Sequence, residues 1–144
     1  MKFAIIAAGQ GSRLKQEGIS EDKPLVQLLG QPMLSRLIHI FTLLQASEIL
    51  IITNTHMPAV VRFIRQIQDR HNSKSLCPLT LLVKDTPSSM HSFYELSPYL
   101  AKESFCLTTV DTVFREIDFC HYIRAFHSFS GDALMAVTDY IDDE

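Results

Sequence analysis

The chain has 144 residues, 47% of them hydrophobic and 20% charged, with a formal net charge of −3. That length suffices for one domain with a real core and not for two, and the absence of any basic run speaks against a nucleic-acid surface. No stretch is long enough to span a membrane, the opening apolar run leads into glycines instead of a cleavage site, and Cys77, Cys106 and Cys120 lack metal or disulfide spacing, so a cytoplasmic protein with reduced thiols is expected.

Phe3 to Ala8 is short, apolar and partly β-branched, as a buried strand should be. It breaks at Gly9 and Gly11, where bare backbone can approach a ligand, and Arg13 and Lys23 follow. A strand ending in a glycine turn beside two fixed cations is a site for polyphosphate. Gly18 to Pro24 is polar and irregular, a flap that delivers Lys23, and Pro24 should hold Lys23 extended. Pro32 sits where a helix should begin, with Leu34, Leu37, Ile38, Phe41 and Leu44 at helical spacing to about Ala46.

Glu48 to Thr53 is a second buried strand. Pro58 opens a second helix with Val61, Ile64, Ile67 and Gln68 on one side, followed by a polar connection from His71 to Cys77. Leu79 to Val83 is a third strand, and the loop Thr86-Pro87-Ser88-Ser89-Met90 leads into a helix from His91 to Ala101. Phe105 to Val110 is a fourth strand running into Asp111, Glu116 to Phe129 is helical, and Ala133 to Thr138 reads as a fifth strand. Such alternation predicts an α/β fold, a Rossmann-like, mostly parallel sheet between two helical layers. The glycine turn, the loop after the third strand and Asp111 all follow strands, so they should meet along one sheet edge, where open α/β sheets bind ligands.

Ala7-Ala8-Gly9-Gln10-Gly11-Ser12-Arg13-Leu14, then Lys23-Pro24-Leu25, then Gly30-Gln31-Pro32-Met33-Leu34 resembles the signature of the nucleotidyltransferase superfamily, which includes the sugar-phosphate nucleotidylyltransferases and the molybdopterin-guanine dinucleotide synthases. The resemblance implies a nucleotide-diphospho-sugar transferase type of fold. It further implies Mg²⁺-dependent transfer of a nucleoside monophosphate from a nucleoside triphosphate to a sugar 1-phosphate or similar phosphorylated alcohol, with pyrophosphate released. Backbone N–H groups from Gly9 through Gln10 and Gly11 to Ser12 would cradle the triphosphate. Arg13 would bind its β- and γ-phosphates and Lys23 its α-phosphate and the acceptor phosphate.

Asp111 would hold the Mg²⁺; otherwise it caps the following turn. Ala7 and Ala8, small enough to let a base lie close, are the remaining contacts, with ordinary strand packing as the alternative. Ser88 and Ser89 either read a base edge or cap the helix, Ser89 serving as N-cap. The six histidines are scattered without metal-ligand spacing, and the phenylalanines between 114 and 129 read as helix core.

Relatives continue beyond the part matched here, which implies an N-terminal, nucleotide-binding piece of a longer domain, inactive alone, whose last strand edge invites a homodimer. Two alternatives share the motifs: a molybdopterin-type nucleotidyltransferase, and a non-catalytic regulatory domain that binds nucleotide or sugar phosphate.

Overall fold

The computed structural model describes residues 1–9, 11, 14, 16–74 and 76–137. Met1–Thr112 forms one compact unit and Val113–Glu144 a second.

In the first unit, β1 (Lys2–Ile6), β4 (Glu48–Thr53), β5 (Leu79–Val83) and β6 (Phe105–Thr109) make one sheet, every pairing parallel, in the order β5-β4-β1-β6. The two central strands are buried almost throughout, and for that reason they read as continuous apolar runs instead of alternating ones. A two-stranded hairpin, β2 (Gln27–Leu28) with β3 (Gln31–Pro32), precedes α1 (Met33–Leu43). Pro32 therefore belongs to the hairpin, and the helix starts one residue after it. Pro32 has no N–H to give, so its pairing with Gln27 suits an edge position.

α2 (Pro58–Ser73) and α3 (Ser89–Leu100) complete this unit. The crossovers β1-α1-β4 and β4-α2-β5 step in one direction across the sheet, and β5-α3-β6 returns past β1. Right-handed connection thus places α1 and α2 on one face and α3 on the other. Packing agrees: Phe3 stacks on Phe41 of α1, ring centroids 4.5 Å apart, while Ala4, Ile6, Leu50 and Ile52 form a cluster with Leu96 and Leu100 of α3. On α2 the buried residues are Val60, Ile64 and His71. Val61, expected on the buried stripe, is only half-buried and its neighbour Val60 is buried in its place, and the helix runs three residues into the expected polar connection.

The second unit holds α4 (Glu116–Ser128), with Phe119 and Ile123 buried, Phe114 stacked on Phe119, and the Tyr122 hydroxyl donating to the Leu134 carbonyl at 2.6 Å. The fifth strand expected from Ala133 to Thr138 is not formed over 133–137, and Thr138 lies outside the described residues. Strand pattern alone makes no strand without a ladder to join, and Met135 and Val137 are exposed. Among the described residues no helix is long and apolar enough to cross a membrane.

Candidate active site

The strand order reverses between β1 and β6, which makes that gap the topological switch point of the sheet. Ala7 and Ala8 lie just past β1 and Asp111 just past β6. Hydrogen bonds fix both exits: Ala7 N–H donates to the Ile52 carbonyl at 2.8 Å, and Val110 N–H to the Ile6 carbonyl at 3.0 Å. From β4, the Thr53 hydroxyl donates to the Ala7 carbonyl at 3.3 Å and Asn54 Nδ2 to the Ala8 carbonyl at 2.8 Å. Ala7 is fully buried in this arrangement, whereas Ala8 and Gly9 reach the surface of a cleft of about 430 Å³.

Gly11 has a positive φ of +61°, and a Cβ there would come within 3.3 Å of the Lys23 Cβ. Glycine is thus favoured both by the backbone turn and by the lysine stem laid against it. Gln10, Ser12 and Arg13 lie outside the described residues.

Lys23 is not extended as its following proline suggested. It begins a 3-10 turn, Lys23–Leu25, closed by Leu25 N–H on the Asp22 carbonyl at 2.8 Å, and the extended residue is Asp22. The turn gains a hydrogen bond and buries Pro24, which outweighs the local preference. From there the Lys23 ammonium crosses the cleft and donates to Asp111 Oδ2. Partial burial by itself would raise the Asp111 carboxyl. The hydrogen bond from Lys23, with others from Thr109 and its own backbone N–H, outweighs burial and holds it below the ordinary carboxylate range.

The third wall comes from the end of β5. Asp85 accepts from Thr55 N–H at 2.9 Å and from the Thr55 hydroxyl at 2.7 Å, tying the loop after β5 to the turn after β4. The Thr86 and Ser92 hydroxyls pair at 2.7 Å. Ser88, not Ser89, is the N-cap of α3: its Oγ accepts from His91 N–H at 3.4 Å and lies 2.9 Å from His91 Nδ1. Ser89 is the first helical residue and lines the cleft beside it.

Thr86 lines the cleft within the loop expected there, and Asn54, His56 and Asp85 also line it, which sequence reasoning did not select as site residues. The usable signal was position: Asn54 and Asp85 each stand within two residues of a strand's carboxyl end, the same reasoning that selected Asp111.

Among the described residues no three His, Cys, Asp or Glu side chains gather at metal-binding spacing. Asp111 offers one carboxylate, 42% exposed, on the cleft wall that Asp85 also lines. Mg²⁺ is commonly held by one or two carboxylates with substrate phosphates completing its shell, so this donor fits a magnesium ion that arrives with a polyphosphate.

A family profile described as the MobA-like NTP transferase domain matches residues 3–142. Among solved structures, a candidate glucose-1-phosphate thymidylyltransferase from Bacillus anthracis, in complex with a sucrose, superposes with a TM-score of 0.74 at 20% identity, over 89% of this chain and 50% of that one. The inositol-1-phosphate CTP transferase from T. maritima superposes with a TM-score of 0.64 at 15% identity, over 92% and 49%. At these identities the likeness establishes the fold, and the chain spans about half the length of the proteins it matches. No curated protein matches the sequence.

Proposed function

Because the chain belongs to the MobA-like NTP transferase domain family, we propose that it binds a nucleoside triphosphate at the β1–β6 switch point and transfers the nucleoside monophosphate to a phosphorylated sugar or alcohol, with release of pyrophosphate. The observation that carries this reading is the meeting of Lys23 and Asp111, 88 residues apart in sequence, across the cleft that Gly9 lines.

In this transfer the acceptor phosphate oxygen bonds to the α-phosphorus while the bond to the β-phosphate bridging oxygen breaks. Two anions must approach and charge accumulates on the leaving pyrophosphate, so positioning and charge neutralisation dominate and no protein nucleophile is needed. The glycine turn would take the triphosphate on backbone N–H groups of Gly9 to Ser12, and Arg13 would hold its distal phosphates. Lys23, its stem set against Gly11, would stabilise charge at the α-phosphate. Asp111 would hold Mg²⁺, which supplies charge neutralisation at the phosphates when bound. Ala8 leaves room for a base near the strand exit, and Ser89 faces the same space.

A phosphorylated sugar or polyol is favoured as acceptor by the names of the two solved neighbours, one a glucose-1-phosphate and the other an inositol-1-phosphate transferase. An acceptor of molybdopterin type is the second reading, kept open by the glycine loop and the Lys23-Pro24 pair, which enzymes of that type share. The test combines pyrophosphate release, across triphosphates and both acceptor classes, with thermal melting. Mg²⁺ plus the preferred triphosphate should raise the melting temperature, since only the folded chain binds it. Asp111→Asn should abolish the Mg²⁺-dependent part of that rise and lower turnover about 100-fold or more. Absence of any shift at saturating triphosphate would refute the nucleotide site, and an unchanged Mg²⁺ response in Asp111→Asn would refute that ligand.

A further inference from the structure

Lys23 and Asp111 are the two residues proposed to receive the phosphate and the metal of an incoming metal–triphosphate, and the structure pairs them with each other. Neither end is a loose surface chain. The Lys23 backbone is set by its 3-10 turn, with Val26 N–H donating to the Lys23 carbonyl at 3.2 Å, and its Cβ lies against Gly11. Asp111 is steadied by the Thr109 hydroxyl and its own N–H, and Thr109 Oγ1 lies 3.0 Å from Thr112 Oγ1. The ammonium thus sits on a carboxylate oxygen that a divalent cation would need.

We propose that this ion pair is a clasp that couples metal to nucleotide: while Lys23 holds Asp111, a divalent cation by itself gains little from that carboxylate. A triphosphate releases it, its oxygens drawing Lys23 away as the cation takes Asp111. The inference rests on the metal role proposed for Asp111. Coupling of this kind is reciprocal, so each ligand strengthens the binding of the other. It also disfavours capture of a bare metal ion in a geometry the triphosphate would have to undo.

The test is titration of Mn²⁺ alone, free ion read by electron paramagnetic resonance, against the unaltered chain, Lys23→Met, Asp111→Asn and the double variant. Lys23→Gln serves as a second opening variant, and melting curves verify that each folds. Lys23→Met and Lys23→Gln should bind Mn²⁺ about three- to tenfold more tightly than the unaltered chain, as removal of a neighbouring positive charge near the surface implies. The double variant should lose that gain. A non-hydrolysable triphosphate should then tighten Mn²⁺ more in the unaltered chain than in Lys23→Met. Mn²⁺ binding by the Lys23 variants no tighter than by the unaltered chain overturns the clasp, while the metal role survives provided Asp111→Asn still weakens Mn²⁺ taken up with the triphosphate. If Asp111→Asn leaves that uptake unchanged, the metal role falls and the clasp falls with it.

Discussion

Asp85 shows how much one side chain can organise without being conspicuous in the sequence. Its two oxygens accept from the N–H and hydroxyl of Thr55, and His56 Nε2 lies 3.9 Å from one of them. The hydrogen bonds from Thr55 outweigh its slight desolvation and, with the nearby His56, hold its carboxyl below the ordinary range. The sign follows directly. A depressed carboxyl adds stability above its unfolded pKa and loses it as pH falls through the lower, folded value. Asp85→Asn should therefore melt at a lower temperature near neutrality and show a shallower loss of melting temperature below about pH 4; parallel acid limbs for the two proteins would count against the bond pair. An acidic residue in a loop announces none of this, because its partner lies 30 residues earlier and only the parallel β4–β5 register brings them together. Lys23 and Asp111 were legible as separate motif positions, but their contact was not.

Among the elements, glycine and proline signals marked some ends well and others to within a residue or two. Pro58 opens α2 as its sequence indicates, and β1 gives way before Gly9. Ends without such signals shifted further. α1 stops at Leu43, three residues short of its expected end, through a Schellman arrangement: Ala46 N–H donates to the Phe41 carbonyl and Gln45 N–H to the Thr42 carbonyl, both at 3.1 Å. The left-handed residue is Gln45, with φ of +56°, where glycine would have advertised the stop. Because a side chain at that φ costs on the order of 1 kcal/mol, Gln45→Gly should stabilise the fold by about 0.5 kcal/mol despite the greater freedom of glycine in the unfolded chain. Urea unfolding would measure it, and a loss of stability would mean the Gln45 side chain contributes more than its backbone costs. The one-residue displacement of the α3 cap from Ser89 to Ser88 has a similar origin, since either serine satisfies the local rule and only the loop's path selects between them.

For the molecule as a whole, the parallel sheet was legible because strands covered on both faces must be apolar throughout. The fifth strand expected from Ala133 is not formed over 133–137, since an apolar pattern is equally that of an exposed, unladdered segment. The buried centre carries a last prediction. Leu50 is fully buried at the middle of β4, opposite Ala4 in the register, in the cluster that α3 covers with Leu96 and Leu100. Ala4 is too small to fill the space a truncated Leu50 would leave, and rigid neighbouring strands resist collapse into it. Leu50→Ala should therefore cost about 2–5 kcal/mol, a large share of the roughly 5–15 kcal/mol that holds a domain of this size together. In urea this should appear as a lower midpoint with an unchanged slope. The cleft should nevertheless persist while the chain is folded. Thr53, the last residue of the same strand, and Asn54, just past it, hold the Ala7 and Ala8 carbonyls by hydrogen bonds that do not depend on the Leu50 side chain. Triphosphate affinity measured well below the melting temperature should thus stay within about twofold. A large loss of affinity would show that the sheet centre and the switch point yield together, and a destabilisation under about 1 kcal/mol would show that α3 settles into the space.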